Sequence, residues 1–218
     1  TIHNADFGLA AIGDAAHHSQ AFTTVSPSYA REISGLPAIA PNAGKFSGVR
    51  NGIDPDIWDP SNDPFLPMPY NSETAEAGKQ AARDALRRRL GLSGWDGDSR
   101  PVVAVVSRLT EQKGVHLIEH AAWRALDRGA QFVLLGSAPD PKVQGRFDAL
   151  ASRLQSDNAA FVFAFDEPLS HLIYAGADLI VMPSMFEPCG LAQLISVRDV
   201  FFSRVFFSFL SSEEGGGE

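Results

Sequence analysis

Residues 101–136 read PVVAVVSRLTEQKGVHLIEHAAWRALDRGAQFVLLG. The opening run, PVVAVVSRL, is rich in valine and has no alternating polar face, as a parallel strand covered on both sides requires. Val115, Ile118, Ala122 and Ala125 then recur at helical spacing, and Gly129 stands where a helix C-cap favours positive φ. QFVLLG closes the unit as a second apolar strand. Strand, helix and strand at this spacing make a parallel βαβ unit, and this unit decides the fold class.

Downstream the alternation continues. PKVQGRFDALASRLQ reads as a helix, AFVFAF as a strand, PLSHLIYAGA as a short helix and DLIVMP as a strand. Upstream, AFTTVSPSYAREI reads as strand, turn and helix, with Ser26 at the N-cap and Pro27 at the first helical position. KFSGVRNGID contains a second short strand. Residues 54–70 are too dense in proline for a helix or a central strand, and an amphipathic helix, AEAGKQAARDALRRRLGL, follows. The polar SGWDGDSR reads as a linker. These signals predict one α/β domain over 1–95, a second over 96–198 and a divergent, disordered tail over 199–218. The tail, DVFFSRVFFSFLSSEEGGGE, follows neither period, and its clustered phenylalanines would be an aggregation liability if exposed.

Hydrophobic residues make up 44% of the 218 and charged residues 20%, the balance of a globular protein with a real core. A net charge of −8 repels nucleic acid and anionic membranes, so an anionic ligand needs a local basic site. One cysteine rules out an internal disulfide framework, and no apolar run reaches the length of a membrane span. The opening TIHNADFG has neither an initiator methionine nor a targeting pattern, and it reads as the interior of a domain.

In an open α/β sheet, ligands bind beyond the carboxyl ends of the strands. Those ends deliver Arg108 and Lys113 after the first strand of this region, Gly136 and Ser137 after the second, and Phe165, Asp166 and Glu167 after the third. Ser184, Glu187, Cys189 and Gly190 follow the fourth. Two cations at one strand–helix junction suit a diphosphate, and the spacing fits a pair of solvated loop charges equally well. Glu187 suits a ligand hydroxyl or a helix N-terminus, where carboxylates are favoured on their own account. Cys189 fits a small packed residue better than a nucleophile, because no histidine partner is legible. HLIEH, His116 to His120, matches a zinc-peptidase string, but both histidines fall off the apolar face of a crossover helix. His17 and His18 are adjacent and cannot share one helix face.

TIHNADFG, TTVSPSYAREI, NGIDPDIWDP, RLTEQKG, YAGADLIVMPS and FEPCGLAQL stand in this order across the first nine-tenths of the chain. Together they resemble the starch synthases and bacterial-type glycogen synthases, most closely the class III soluble starch synthases of plants. The resemblance implies two Rossmann-like domains of the GT-B type, both incomplete here, and transfer of glucose from ADP-glucose to the non-reducing 4-OH of an α-1,4-glucan with retention. It implies that Arg108 and Lys113 grip the diphosphate, so that no metal or other cofactor is needed. It also implies that Glu187 hydrogen-bonds the glucose hydroxyls from a positioning and electrostatic role. The Cys189-Gly190-Leu191 backbone would meet sugar and phosphate, while His3, counted with Arg108, Lys113 and Glu187 as catalytic, would reach the glucose from the other domain and Asn51 would line the same cleft. Gly136, Ser137 and Phe165 complete the donor site. Phe165 stands where the family usually has a tyrosine stacked on adenine. A plastid location and partners among other starch-synthesis enzymes are implied as well.

Two family segments depart from the pattern. The K-x-G-G-L loop would lie before Thr1, and the Y-G-T-x-P-I-V-R-x-T-G-G-L segment is replaced by the tail. The expectation is therefore an internal segment with little or no activity alone. A non-catalytic, glucan- or partner-binding regulatory form is the alternative reading.

Overall fold

The structure is a computed structural model that describes residues 2–94, 98–199 and 204–207. The chain divides into two compact units, Thr1–Gly52 with Pro188–Leu191, and Ile53–Glu187 with Ala192–Glu218.

In the first unit, β1 (Phe22–Thr24) pairs in parallel with β2 (Phe46–Gly48), and the rings of Phe22 and Phe46 stack at 4.6 Å. Helix α1 (Ile2–His18) precedes them, and α2 (Pro27–Ile33) lies between. The Ser26 hydroxyl accepts from the Tyr29 amide, so the cap and the N1 proline sit where the sequence places them. Gly48 is obligatory, because a Cβ there would lie 2.2 Å from the Ser26 carbonyl oxygen. Helix α1 was not legible in TIHNADFG.

The second unit is a parallel sheet of five described strands: β3 (Val102–Val106), β4 (Gln131–Leu135), β5 (Ala159–Val162), β6 (Leu179–Met182) and β7 (Arg204–Phe207). Their spatial order is β5-β4-β3-β6-β7. Helices α3 (Ala75–Leu90), α4 (Val115–Asp127), α5 (Pro141–Leu154), α6 (Glu167–Gly176) and α7 (Leu191–Asp199) complete it. Strand β3 shows why it reads as apolar throughout. Val102 and Ala104 pack with Leu86, Leu172 and Ile173 on one face, while Val103 and Val105 pack with Ile118, Phe132 and Phe147 on the other. Both faces are covered, as in a doubly wound sheet.

Two features stand apart from the reading of the sequence. The compact units divide between Gly52 and Ile53, whereas the stretch read as a linker lies near 95. Residues 53–94 join the second unit because α3 packs tightly on α6: Lys79 Nζ donates to the Ala175 carbonyl at 2.6 Å, Arg83 Nε to that of Gly176 at 3.2 Å, and Arg83 pairs with Asp178. These cations satisfy carbonyls at the end of α6, where the helix dipole favours positive charge. The tail is also not wholly without structure, since 204–207 add to β6 in parallel register from Leu179↔Arg204 to Met182↔Phe207. A short β-branched and aromatic run on an open sheet edge suffices for this. Residues 200–203 and 208–218 lie outside the described residues.

Candidate active site at the switch point of the second sheet

From β3 the chain runs outward through β4 and β5, then returns to the other side of β3 as β6. The crevice at this reversal, beyond the carboxyl ends of β3 and β6, is where such sheets bind ligands. Two loops meet there. Gly114 (φ 68) brings the start of α4 so close to the exit of β6 that a Cβ would lie 2.1 Å from the Pro183 carbonyl oxygen. Next to it, the Met185 amide donates to the Gln112 carbonyl at 2.9 Å, and Gln112 Nε2 donates to the Phe186 carbonyl at 2.9 Å. The loops are thus zipped by main chain and side chain together.

This zipper sets the charged residues opposite each other. Lys113 Nζ lies 2.5 Å from Glu187 Oε2, and the Ser184 hydroxyl donates to the same oxygen at 2.9 Å. Both charged side chains are partly exposed, at 20% and 24%, so the pair is accessible to a ligand. A carboxylate that accepts from an ammonium and a buried serine is held in a fixed orientation, in which it can accept from a ligand hydroxyl.

Arg108 is exposed and lines an open cleft of about 310 Å³ beyond the ends of β3, β4 and β5. Gly136 and Ser137 line it too. A Cβ on Gly136 would lie 1.9 Å from the Ser107 carbonyl oxygen, so only glycine allows these two strand exits to approach. Phe165 stands 92% exposed at the same cleft. Asp166 caps α6 through the Leu169 amide at 2.9 Å and pairs with Arg89 at 2.7 Å, fixing the turn that presents Phe165.

The remaining expected residues stand in the first unit. Asn51 is exposed, and its amide donates to the Val25 carbonyl at 3.3 Å. His3 lies in α1, with its side chain outside the described residues. Cys189 is a half-buried free thiol, Gly190 takes φ 71, and exposed Leu191 begins α7. His17, His18, His116 and His120 are all exposed, as their positions in the sequence predict. Among the described residues no group of three or more His, Cys, Asp or Glu is placed to hold a metal, and no helix is long and apolar enough to cross a membrane. The sequence reading missed Gln112, although it sits between Arg108 and Lys113, and Trp58, a cleft-lining residue hidden in the proline-rich loop.

Residues 96–194 match the family model described as "Glycosyl transferases group 1". Soluble starch synthase 3 of Solanum tuberosum is 57% identical over 201 residues, which cover 91% of this chain and 16% of that protein. Glycogen synthase 2 of Methylococcus capsulatus is 45% identical over 184 residues, 81% of this chain and 37% of that protein. The catalytic domain of starch synthase IV from Arabidopsis thaliana, solved with ADP and acarbose, superposes with a TM-score of 0.83 at 42% identity, covering 90% of this chain and 41% of that one. The chain therefore spans well under half the length of these relatives. The six motifs, the doubly wound sheet and these likenesses agree: the chain belongs to the starch synthase and bacterial-type glycogen synthase family, with the GT-B glycosyltransferase fold.

Proposed function

We propose that the protein carrying this segment transfers glucose from ADP-glucose to the non-reducing 4-OH of an α-1,4-glucan such as amylopectin or amylose, retaining the anomeric configuration. The observation that carries this reading is the Lys113–Glu187–Ser184 cluster at the switch point of the sheet. It sets a cation for a diphosphate beside an oriented carboxylate acceptor for sugar hydroxyls. Arg108 and Lys113 neutralise the charge that builds on ADP as the glucosyl bond breaks, the task that a divalent metal performs in other transferases. Glu187 orients the glucose, and the backbone of Cys189, Gly190 and Leu191 at the start of α7 offers amides to sugar and phosphate. Gly136, Ser137 and Phe165 shape the donor cleft. The roles of His3 and Asn51 rest on the family resemblance alone, as does a place in the plastid, shared with plant relatives whose names read chloroplastic/amyloplastic.

Radiolabelled glucose transfer from ADP-glucose to glycogen tests the reading in the full-length protein, beside its Glu187→Gln variant. Transfer that survives EDTA, retains the α configuration and collapses in the variant is the expected result. Absence of transfer, or dependence on a divalent ion, would overturn the corresponding part.

A further inference from the structure

The cleft beside Arg108 has an aromatic residue from an unexpected source. Trp58 comes from the proline-rich loop over 54–70, far in sequence from the strand ends, yet it lines the cleft together with Arg108, Phe165 and Tyr174. Val106, Leu135 and Ile195 add apolar surface to the same wall, while Ser170 and Asp166 stand at it with polar groups. Apolar walls with a few polar groups at the edge are what a planar heterocyclic base needs.

The indole is held by a buried assembly. It stacks on the His171 ring at 4.0 Å with an interplanar angle of 7°, and Tyr174 meets it edge-on at 5.5 Å. His171 is buried on α6, and its Nδ1 lies 2.6 Å from Asp63 Oδ2, a contact between residues 108 positions apart. The other Asp63 oxygen accepts from the Phe65 amide at 2.8 Å, which folds the loop so that Phe65 packs edge-on against His171 at 5.0 Å. Among the described residues, Nε2 of His171 is buried without a hydrogen-bond partner, so the imidazole gives one edge to Asp63 and one face to the indole. Arg198 of α7 donates to the carbonyls of Trp58 and of Pro55, fixing the main chain as well. An apolar core residue would need none of these polar tethers. They fix the position of a ring that remains only partly covered.

We propose that Trp58 is a binding residue of the donor site, forming an aromatic wall for the nucleotide base in addition to Phe165, with Asp63 and His171 as the positioning residues that hold it there. This rests on the ADP-glucose reading above. Stacking of a base on an aromatic side chain has enough strength for Trp58→Ala to weaken ADP binding roughly tenfold or more.

Calorimetric titration of the wild-type chain, Trp58→Ala, Trp58→Phe and Asp63→Asn with ADP and, separately, with inorganic pyrophosphate provides the test. Trp58→Ala is expected to weaken ADP roughly tenfold or more and to leave pyrophosphate within about twofold, whereas Trp58→Phe restores most of the ADP affinity. Asp63→Asn is expected to weaken ADP while sparing pyrophosphate. In a Trp95→Phe/Trp123→Phe background, where Trp58 is the sole tryptophan, ADP should change the emission and pyrophosphate should not. Equal losses for both ligands would reduce Trp58 to a structural role and overturn the proposal. Unchanged ADP affinity in Trp58→Ala would overturn it while leaving the donor reading intact. Failure of the wild-type chain to bind ADP while it binds another nucleoside diphosphate would overturn both.

Discussion

Lys113 and Glu187 meet across the reversal of the sheet, with the ammonium nitrogen 2.5 Å from the carboxylate oxygen. The cation proposed for the diphosphate and the carboxylate proposed for the sugar are therefore paired with each other. If Lys113 holds the donor as proposed, a diphosphate must compete with Glu187 for it. Glu187→Gln removes that competitor, so ADP should bind at least as tightly as to the wild type while glucosyl transfer falls by about 100-fold or more. Lys113→Gln should weaken ADP about tenfold and lower transfer with it. Calorimetry with ADP beside the transfer assay separates the two. Parallel losses of binding and transfer in Glu187→Gln would show that the pair does not compete with the donor.

Gln112 is the side-chain clasp between the loops that carry Lys113 and Glu187. Gln112→Ala leaves the Met185 amide bonded to the residue-112 carbonyl, so the loops stay in register but lose one restraint. A single exposed hydrogen bond contributes about 1 kcal/mol or less to stability, so the melting temperature should shift by only a few degrees. If the charged pair acts in the transition state as proposed, loosening it is expected to lower kcat about tenfold. A fall in melting temperature without a fall in kcat would make Gln112 a purely structural residue.

Much of the second sheet was legible because its strands are covered on both faces and announce themselves as short, almost wholly apolar runs, while α4 and α5 keep a clean helical period. The cations were legible as residues at strand ends, and their alternative reading as solvated charges was equally open. The approach of Gly114 to Pro183 and the Gln112 bonds that zip the two loops explain why Lys113 meets Glu187. The division into compact units at Gly52 was hidden for a related reason. SGWDGDSR is polar like a linker, but Asp98 and Arg100 bond each other, and their carbonyls receive Arg87 from α3. Such partners lie far apart in sequence or look solvated within it. The Asp63–His171 contact is the extreme case, since nothing local marks either residue.

Arg87 is fully buried, and its guanidinium serves three acceptors: Gln131 Oε1 at 2.7 Å and the carbonyls of Asp98 and Arg100 at 3.1 and 2.8 Å. Burial lowers its pKa from the ordinary arginine value, a sign of incomplete solvation offset by these bonds. Arg87→Leu leaves all three acceptors without their donor, and the expected loss is about 3 kcal/mol. Arg87→Lys should recover less than half, because an ammonium cannot span the planar fork. Urea unfolding of the three proteins checks the order. A lysine variant as stable as the wild type would mean that charge, rather than fork geometry, is what the site requires.

Asp98 gives the chain a defined sensitivity to acid. Its carboxylate accepts from the side chain of Arg100 through Nε at 2.8 Å and Nη2 at 2.6 Å, and from the Arg100 amide at 2.8 Å. These bonds lower its pKa from 3.8 to about 2. A carboxyl whose folded pKa is depressed binds its proton more readily in the unfolded chain, so protonation favours unfolding. The stabilisation from Asp98 is therefore complete above about pH 4 and is lost as the pH falls towards about 2. Asp98→Asn removes the titrating group, so the variant should be less stable than the wild type at pH 6. The gap should narrow steadily from pH 4 downwards and nearly close by about pH 2. Urea unfolding midpoints at stepped pH values measure this directly. A gap that stays constant across the window would mean that Asp98 contributes through shape alone, and that its bond to Arg100 does not depend on ionisation.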